Sequence, residues 1–362
     1  MAQILAAIDR SVEATLPADP DAPAKRSQSR PLDQPVSWQT ALKQAIRSGA
    51  ELCQAVGLPS QLAVSQAERD FPVFAPWEYV SRMELGNARD PLLLQVLAGV
   101  EELEQHPDGQ IDPVGDRSAQ RQPGLLHKYD RRILMITTGA CAVHCRYCFR
   151  RHYPYHTAPR GKQGWEQSLQ TIAADRSLDE VILSGGDPLT LADSSLAWLT
   201  EQIGNIDHIR RLRIHTRLPV VIPQRVCDEL LAWVRQSKAA LYFVLHFNHT
   251  REIDPAVQAA LRQLRQAGAT LLNQAVMLRG VNDSVEAQAE LCLTLANEQV
   301  LPYYVHQLDP VQGAMHFAVS DAVAISIMQD VQRQLPGYAV PKLVREIAGQ
   351  PSKTPLTQPT WH

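Results

Sequence analysis

The chain lacks the features of a secreted, membrane-spanning or disulfide-rich protein. Residues 1–16 do not show a charged start followed by an apolar run, which is the pattern of a secretory signal. No apolar run reaches the roughly 18 residues that a membrane-spanning helix needs. Six cysteines in 362 residues are too few for a disulfide scaffold. These absences predict a cytoplasmic protein in a reducing compartment.

An excess of basic charge is also missing. The chain has 35 Lys and Arg against 38 Asp and Glu, and its net charge is −3. This balance argues against a protein that coats nucleic acid or lies on a membrane surface, so we expect neither as a partner. Hydrophobic residues make up 45% and charged residues 20%, which is typical of a globular protein with a sizeable core.

Composition divides the chain into three segments. Residues 1–105 contain apolar residues at helical spacing in 38–56 and 92–103, which predicts an N-terminal helical extension. Within it, residues 17–36 are rich in Pro, Asp, Ser and charge and predict a disordered-looking linker. Residues 106–340 begin with a polar loop at 106–123 and continue with short apolar runs that alternate with amphipathic stretches. Residues 341–362 form a C-terminal segment.

From residue 132 onward, short apolar runs alternate with amphipathic stretches. The candidate strands are 133–137, 181–184, 212–215, 241–247, 271–277 and 303–307. The clearest helix spans 254–267, with Asp254 as N-cap, Pro255 in the first turn and Gly268 as the stop. This alternation predicts an α/β fold with a parallel sheet, and six units predict a partial (β/α)6 barrel. Chemistry in barrels gathers where strands end, so the residues that follow these strands are the candidates.

Three cysteines follow the first candidate strand with the spacing Cys-x3-Cys-x2-Cys. They are Cys141, Cys145 and Cys148, and thiolates spaced this closely can wrap one iron–sulfur cluster. A four-iron cluster held by three cysteines keeps one iron open, and that iron can chelate the amino and carboxylate groups of S-adenosylmethionine. The alternative is a zinc site completed by His144 or His152. The spacing, the strand before the loop and the lack of a second cysteine pair favour the cluster of radical S-adenosylmethionine (radical SAM) enzymes.

A glycine-rich turn follows the second candidate strand. It reads Ser184-Gly185-Gly186-Asp187, and paired glycines let the backbone approach a ligand closely. The turn resembles the one that receives the amino group of S-adenosylmethionine in radical SAM enzymes. A plain turn between a strand and a helix is the alternative.

Residues 110–356 resemble the lysine 2,3-aminomutase family in one continuous register. The matching stretches are Leu125-Leu126-His127-Lys128-Tyr129, the cysteine loop, 184–188, Pro223-Gln224-Arg225, His246-Phe247-Asn248-His249, Asn273-Gln274, Arg279-Gly280-Val281-Asn282-Asp283 and Pro302-Tyr303-Tyr304. The run 139–154 is most similar to the shorter bacterial branch, which supplies β-lysine for the modification of elongation factor P. The resemblance implies a radical SAM barrel.

The resemblance also implies pyridoxal 5′-phosphate (PLP) as a cofactor. Lys353 matches the lysine that forms the Schiff base, in a segment, 341–362, that carries fewer glycines around this lysine than the typical form. Arg132 matches the arginine that holds the cofactor phosphate, and Tyr129 lies beside it in the register. From the residues alone, a solvated lysine is the favoured interpretation of Lys353, and a surface arginine beside Arg131 is the alternative for Arg132.

The same register assigns the substrate and S-adenosylmethionine residues. Arg150 matches the arginine that binds the substrate carboxylate. Asp309 and Glu346 match the two acidic positions that receive the distal ammonium of lysine, although the usual residue at the second position is the shorter Asp. Ser184-Gly185-Gly186-Asp187, His246 and Gln274 match positions around S-adenosylmethionine. Surface or core polar groups are the alternative for each.

The resemblance therefore implies an isomerase that converts L-α-lysine to β-lysine, with R the suggested configuration. The reaction would use a [4Fe-4S] cluster, a 5′-deoxyadenosyl radical and a PLP aldimine. It also implies an electron donor such as flavodoxin or ferredoxin, and an indirect link to elongation factor P and its ligase. Two alternatives stay open: a radical aminomutase for another amino acid, and a non-catalytic iron–sulfur protein.

Overall fold

The computed structural model describes residues 36–357, so all but the last residue of the linker expected at 17–36 lies outside the described residues. The strands are β1 (Gln120–Gln122), β2 (Leu125–Tyr129), β3 (Arg132–Thr138), β4 (Glu180–Gly185), β5 (Arg211–Thr216), β6 (Ala240–Leu245), β7 (Thr270–Val276), β8 (Leu301–His306), β9 (Lys342–Arg345) and β10 (Thr354–Pro355).

The α-helices fall into a group of short ones before the sheet and a group of longer ones between its strands. They are α1 (Trp38–Lys43), α2 (Gly49–Ala55), α3 (Ser65–Asp70), α4 (Trp77–Val80), α5 (Pro91–Leu94), α6 (Gly161–Ala174), α7 (Asp193–Gly204), α8 (Leu218–Val221), α9 (Asp228–Gln236), α10 (Pro255–Gln266), α11 (Val285–Asn297) and α12 (Asp321–Gln334). Short 3-10 helices connect some of them, among them Val100–Leu103 and Pro188–Thr190.

All ten strands form one sheet in chain order. Strands β3 to β9 are parallel neighbours, while β1 and β2 at one edge and β10 at the other edge pair antiparallel. Within residues 36–357 the two edge strands do not pair with each other, so the barrel is partial. The predicted α/β fold is confirmed, and the six candidate strands correspond to β3 to β8. Strand β9 adds a seventh parallel strand that the sequence pattern did not reveal, because it spans only Lys342–Arg345.

Side chains along each strand alternate between the outer face of the sheet, which packs against helices, and the inner face, which lines the barrel. In β5, Leu212 and Ile214 are buried in the core, while Arg213 and His215 line a cavity on the other face. The crossover helices cover the outer face with apolar stripes. Helix α10, predicted from sequence, buries Val257 and Leu261, and the Asp254 carboxylate caps its first turn.

Two helices expected in the extension are interrupted. The apolar pattern of 38–56 predicted one helix, but α1 and α2 are separate, because the backbone of Ile46 turns aside to exchange two hydrogen bonds with Ala75. Ser48 then caps a new helix. Similarly, 92–103 divides into α5 and a 3-10 helix around Gly99. The prediction of continuous helices was wrong there, because tertiary backbone pairing overrides helical spacing. No helix of the described chain is long and apolar enough to span a membrane.

Candidate active site

One cavity of about 430 Å³ is lined by the inward side chains of the parallel strands and by the loops that follow them. Every residue to which sequence analysis assigned a role contributes to its wall: Cys141, Cys145, Cys148, Tyr129, Arg132, Arg150, Ser184, Gly185, Gly186, Asp187, His246, Gln274, Asp309, Glu346 and Lys353. The fold thus brings together side chains more than 200 positions apart. Their individual roles remain predictions, and the geometry below bears on them.

The three loop cysteines are free thiols on one side of this cavity. Burial and the neighbouring thiols raise the pKa of Cys148 to about 11 and the pKa of Cys141 well above its usual range. Thiols crowded in this way become thiolates when positive charge is supplied, as iron does. Each cysteine of a four-iron cluster binds a different iron, so the cluster does not require the thiols to converge on one ion. The donor set therefore fits the cluster.

The zinc alternative finds no support among the described residues. His144 Nδ1 lies 2.8 Å from the Pro72 carbonyl oxygen, and its ring stacks on Phe71. His152 Nε2 lies 3.1 Å from the Gln312 carbonyl oxygen. Within residues 36–357 no three His, Cys, Asp or Glu side chains are placed to share one metal ion. Both histidines thus have structural partners of their own.

A buried arginine reaches the middle cysteine. Arg217, at the end of β5, donates from Nη1 to Cys145 Sγ at 2.8 Å. Its Nη2 atom donates to Glu252 and to the Gln95 side chain, both at 2.6 Å. The guanidinium is 6% exposed and the Glu252 carboxylate is fully buried. A cation held this firmly stabilises negative charge on the Cys145 sulfur.

The helical extension braces the cysteine loop. The Arg146 backbone N–H donates to the Gln95 carbonyl at 2.9 Å, and the His144 N–H donates to the Phe74 carbonyl at 3.0 Å. The Arg146 guanidinium is fully buried and makes a two-point contact with Glu102, at 2.7 and 2.6 Å. Sequence analysis assigned no role to this extension. The sequence offered one signal for this role, the isolated polar residues Gln95 and Glu102 in the apolar stretch 92–103. Hydrophobic periodicity alone does not distinguish them from surface residues.

The glycine turn packs against the same loop. The Gly186 N–H donates to the Thr138 carbonyl at 2.8 Å, and the Asp187 N–H donates to the Ala140 carbonyl at 2.7 Å. A Cβ on Gly186 would lie 2.2 Å from the Ala140 oxygen, so only glycine permits this approach. These two N–H groups therefore hold the cysteine loop. The Asp187 carboxylate accepts hydrogen bonds from Thr216 and from the Arg217 backbone, at 2.7 and 2.8 Å.

The part of the cavity nearest the cysteines suits a nucleoside with a charged amino acid end. His246 stacks on Tyr147 with ring centroids 5.6 Å apart, and its Nε2 lies 2.8 Å from the Tyr147 hydroxyl. Burial and the charge of Arg217 keep the pKa of His246 well below its usual value, so its imidazole is neutral. Gln274 adds an amide to the wall. The neutral hydrogen-bonding side chains of His246 and Gln274 suit the adenosine part of S-adenosylmethionine.

The cavity wall also includes Lys353, together with Arg132, His215 and His306. The Arg132 guanidinium lies over the Tyr129 ring at 4.7 Å, with no hydrogen-bonding partner among residues 36–357, and is thus free to bind an anion. His215 and His306 each have a buried Nε2 atom that lacks a hydrogen-bonding partner within the described residues. Burial and the Lys353 ammonium lower the pKa of His306 to about 3. Orphaned imidazole nitrogens and a free guanidinium beside a lysine fit the polar ring and the phosphate of PLP.

Arg150, the residue predicted to bind the substrate carboxylate, is fixed by two other side chains. Its Nε donates to Asp116 Oδ2 at 2.6 Å and its Nη1 donates to Ser184 Oγ at 3.1 Å. Asp116 is 2% exposed and also forms an ion pair with Lys128 at 2.7 Å. Burial raises the pKa of Asp116, but the two cations outweigh it and the net pKa is lowered. Sequence analysis missed Asp116, because a single Asp in a polar loop carries no signal.

The two predicted ammonium receptors have different surroundings. Glu346 contacts Lys353 Nζ at 2.5 Å and Lys128 Nζ at 2.9 Å. Burial alone would raise the pKa of Glu346, but the two ammonium groups hold it well below its usual range. Asp309 has a buried Oδ1 that lacks a hydrogen-bonding partner within the described residues. Burial and the charge of Glu346 raise the pKa of Asp309 to about 7. Glu346 is thus paired and Asp309 is not.

Comparison with known proteins shows the family. The chain is 45% identical over 320 residues to L-lysine 2,3-aminomutase of Haemophilus influenzae, covering 88% of this chain and 95% of that protein. Identity to the Escherichia coli enzyme of the same name is also 45%, over 322 residues, covering 88% of this chain and 94% of that protein. The Clostridium subterminale protein of that name is 30% identical over 330 residues, covering 88% of this chain and 77% of its own.

No family model matches the chain. Among solved structures, a radical SAM methyltransferase from Sphaerobacter thermophilus aligns with a TM-score of 0.45 and 14% identity over 62% of this chain and 72% of its own, a likeness too weak to inform fold or activity. The identities of 45% over nearly the whole length of two relatives suffice on their own. The chain belongs to the L-lysine 2,3-aminomutase family.

Proposed function

We propose that this protein is an L-lysine 2,3-aminomutase, an isomerase that converts L-α-lysine to β-lysine. The observation that carries the proposal is a single cavity lined by the three loop thiols, by Lys353, and by a cation and a carboxylate that suit the two ends of lysine. The cation is Arg150 and the unpaired carboxylate is Asp309. A cavity of about 430 Å³ suits a small substrate.

The residues present fit three cofactors. Cys141, Cys145 and Cys148 would hold a [4Fe-4S] cluster, the wall formed by 184–187, His246 and Gln274 would contact S-adenosylmethionine, and Lys353, Arg132 and Tyr129 would hold PLP. When bound, these groups supply one-electron cleavage of S-adenosylmethionine and stabilisation of a carbon-centred radical. The protein supplies binding, orientation and exclusion of water.

The chain's own side chains act on the substrate at its two ends. Asp116 and Ser184 fix the orientation of Arg150 through three hydrogen bonds, and a guanidinium has five N–H groups, so two would remain to hold a bound carboxylate in one position. Asp309 offers an unpaired oxygen to the distal ammonium. Because both ends are held, the hydrogen on the carbon next to the α-carbon is the one presented for abstraction. Neutral His215 and His306 add no charge that would repel a cationic substrate.

Two finer points belong to the same proposal. The reducing electron would come from a small donor protein such as flavodoxin or ferredoxin, because the cluster must be in its reduced state before it can cleave S-adenosylmethionine. The likeness of residues 139–154 to the shorter bacterial branch supports the supply of β-lysine for elongation factor P, with a separate ligase attaching it. A site that binds a free carboxylate through Arg150 suits free lysine.

The test is anaerobic incubation of the iron-reconstituted protein with L-lysine, S-adenosylmethionine, PLP and dithionite, followed by chromatography for β-lysine. We expect β-lysine from the native protein and none from Cys145→Ala or Lys353→Ala. Cleavage of S-adenosylmethionine with lysine unchanged would refute the substrate while leaving the radical chemistry intact. Absence of both, in protein that contains an intact cluster, would refute the enzyme.

A further inference from the structure

We infer that Glu346 is the counter-ion of Lys353, and that Asp309 alone of the two acidic residues receives the distal ammonium of the substrate. This inference rests on the proposed function and deepens it. It assigns different roles to two carboxylates that the family register treats as one receptor. Glu346 becomes a positioning residue for the cofactor lysine, and Asp309 becomes the residue that distinguishes lysine from amino acids without an ammonium.

The first observation is that Glu346 already has two cationic partners. Its Oε2 lies 2.5 Å from Lys353 Nζ and its Oε1 lies 2.9 Å from Lys128 Nζ. The three side chains are only 15–22% exposed, so water screens these contacts weakly. Each carboxylate oxygen thus has its own ammonium. A third ammonium would displace one of them or bring three positive charges to one carboxylate.

The second observation is that Lys128 cannot easily leave. Its Nζ atom lies 2.7 Å from Asp116, 2.9 Å from Glu346 and 2.8 Å from the Val114 carbonyl. Two of these contacts are hydrogen bonds, to Glu346 and to the Val114 carbonyl, and the third is an ion pair with Asp116. Lys128 is therefore a fixed internal cation between two carboxylates. It occupies one side of Glu346 whether or not substrate is bound.

The charges form an alternating row beside the cavity, with Asp116 behind the wall and the other four members in it. It runs Arg150, Asp116, Lys128, Glu346 and Lys353, with every neighbouring pair joined by a contact of 2.9 Å or less. Each carboxylate in the row lies between two cations. Asp309 is close to the row but outside it: burial and the negative charge of Glu346 act on its carboxyl, and its Oδ1 has no hydrogen-bonding partner within residues 36–357. It is the acidic group that gains most from an incoming cation.

The assignment gives Glu346 a task when substrate displaces Lys353. Exchange would bond the α-nitrogen of lysine to the cofactor carbon and break the bond from that carbon to Lys353 Nζ, and Nζ would take both protons that the incoming ammonium loses. Lys353 then needs a nearby anion to stay protonated and out of the way. Glu346, at 2.5 Å from Nζ, is that anion.

The experiment compares L-lysine with L-norleucine, which has the same chain without the distal nitrogen. Protein with reconstituted cluster and PLP, but without S-adenosylmethionine, is titrated with each amino acid and then reduced with borohydride. Mass spectrometry of the Lys353 peptide measures the fraction of PLP still on the protein. The ratio of the two half-displacement concentrations reports the ammonium contact without any turnover.

For the native protein we expect lysine to displace Lys353 at a concentration at least roughly tenfold lower than norleucine, as one charge-assisted contact provides. Asp309→Asn should bring this ratio to within roughly twofold of one. Glu346→Gln should keep the ratio and raise both concentrations together, by roughly tenfold. Glu346→Asp keeps the charge and also tests the inference if the Gln variant fails to fold; its ratio should stay native.

A collapse of the ratio in Glu346→Gln or Glu346→Asp would overturn the inference, as would a native ratio in Asp309→Asn. Asp175→Asn, which changes a surface carboxylate paired with Arg121, is the matched control and should change neither concentration. Failure of the proposed function gives a different result, because native protein would then carry no PLP on Lys353 that lysine can displace.

Discussion

Replacing Glu102 by Gln should loosen the cysteine loop from the helical extension. Glu102 is 2% exposed on its side chain and holds two arginines: Arg146 at 2.7 and 2.6 Å, and Arg151 at 2.9 Å. Gln is nearly isosteric but neutral, and its NH2 group would face the guanidinium of Arg146. Breaking a buried ion pair of this kind costs about 3–5 kcal/mol. That is a large part of the roughly 5–15 kcal/mol by which proteins are stable.

The measurement is urea unfolding followed by circular dichroism, with iron and sulfide content after reconstitution as the second readout. Glu101→Gln is the matched control, because Glu101 is adjacent and exposed. We expect Glu102→Gln to unfold at lower urea than Glu101→Gln and to retain less cluster, since Arg146 lies between Cys145 and Cys148, which are predicted to bind it. Equal unfolding midpoints and equal iron content in the two variants would refute the role that we assign to this contact.

Three further predictions concern the cavity. Arg217→Met should lower the reduction potential of the cluster by tens of millivolts, measured by a spectroscopic redox titration, because it removes a cation 2.8 Å from the Cys145 sulfur; an unchanged potential would contradict this. Burial raises the pKa of Asp309 from 3.8 to about 7, so its carboxyl opposes folding increasingly as the pH rises between those values. Asp309→Asn should therefore gain stability over native protein by a few kcal/mol at pH 8 but not at pH 3.5, and a pH-independent difference in urea unfolding would contradict the shift. Lys128→Met should lower the free energy of unfolding by about 3–5 kcal/mol, because it leaves two buried carboxylates without this cation. Arg121→Met, at an exposed ion pair, should lower it by less than about 1 kcal/mol, and equal losses in urea unfolding would refute the difference between buried and exposed pairs.

The barrel and the cavity wall could be predicted, because strand ends in a parallel sheet face the same edge. Short apolar runs separated by helical patterns identified β3 to β8, and the polar residues after them were expected to meet. They do so around one cavity. The assignment of Lys353, Arg132 and Glu346 came from family resemblance, since a lysine near a chain end has no physical signature in sequence.

What escaped prediction depends on contacts between distant segments. Asp116 lies in a polar loop, and only the fold shows that its carboxylate meets Arg150 and Lys128. His306 was detectable in principle, because it alternates with Tyr304 along β8 and alternate residues of a strand share a face. The single helix expected at 38–56 failed because the Ile46 backbone pairs with Ala75, a partner 29 positions away that no local pattern reveals.

The bracing of the cysteine loop by the extension has a consequence for biosynthesis. Ribosomes synthesise a chain from its N-terminus to its C-terminus. Residues 36–105 therefore leave the ribosome before Cys141, Cys145 and Cys148. The Gln95 and Phe74 carbonyls and the Glu102 carboxylate are thus already synthesised when the thiols appear. A newly made cysteine loop therefore does not wait for later parts of the chain to supply these partners. Thiols that dock early spend less time exposed to oxidants and to the wrong metals, which matters for a protein that must acquire its iron after translation.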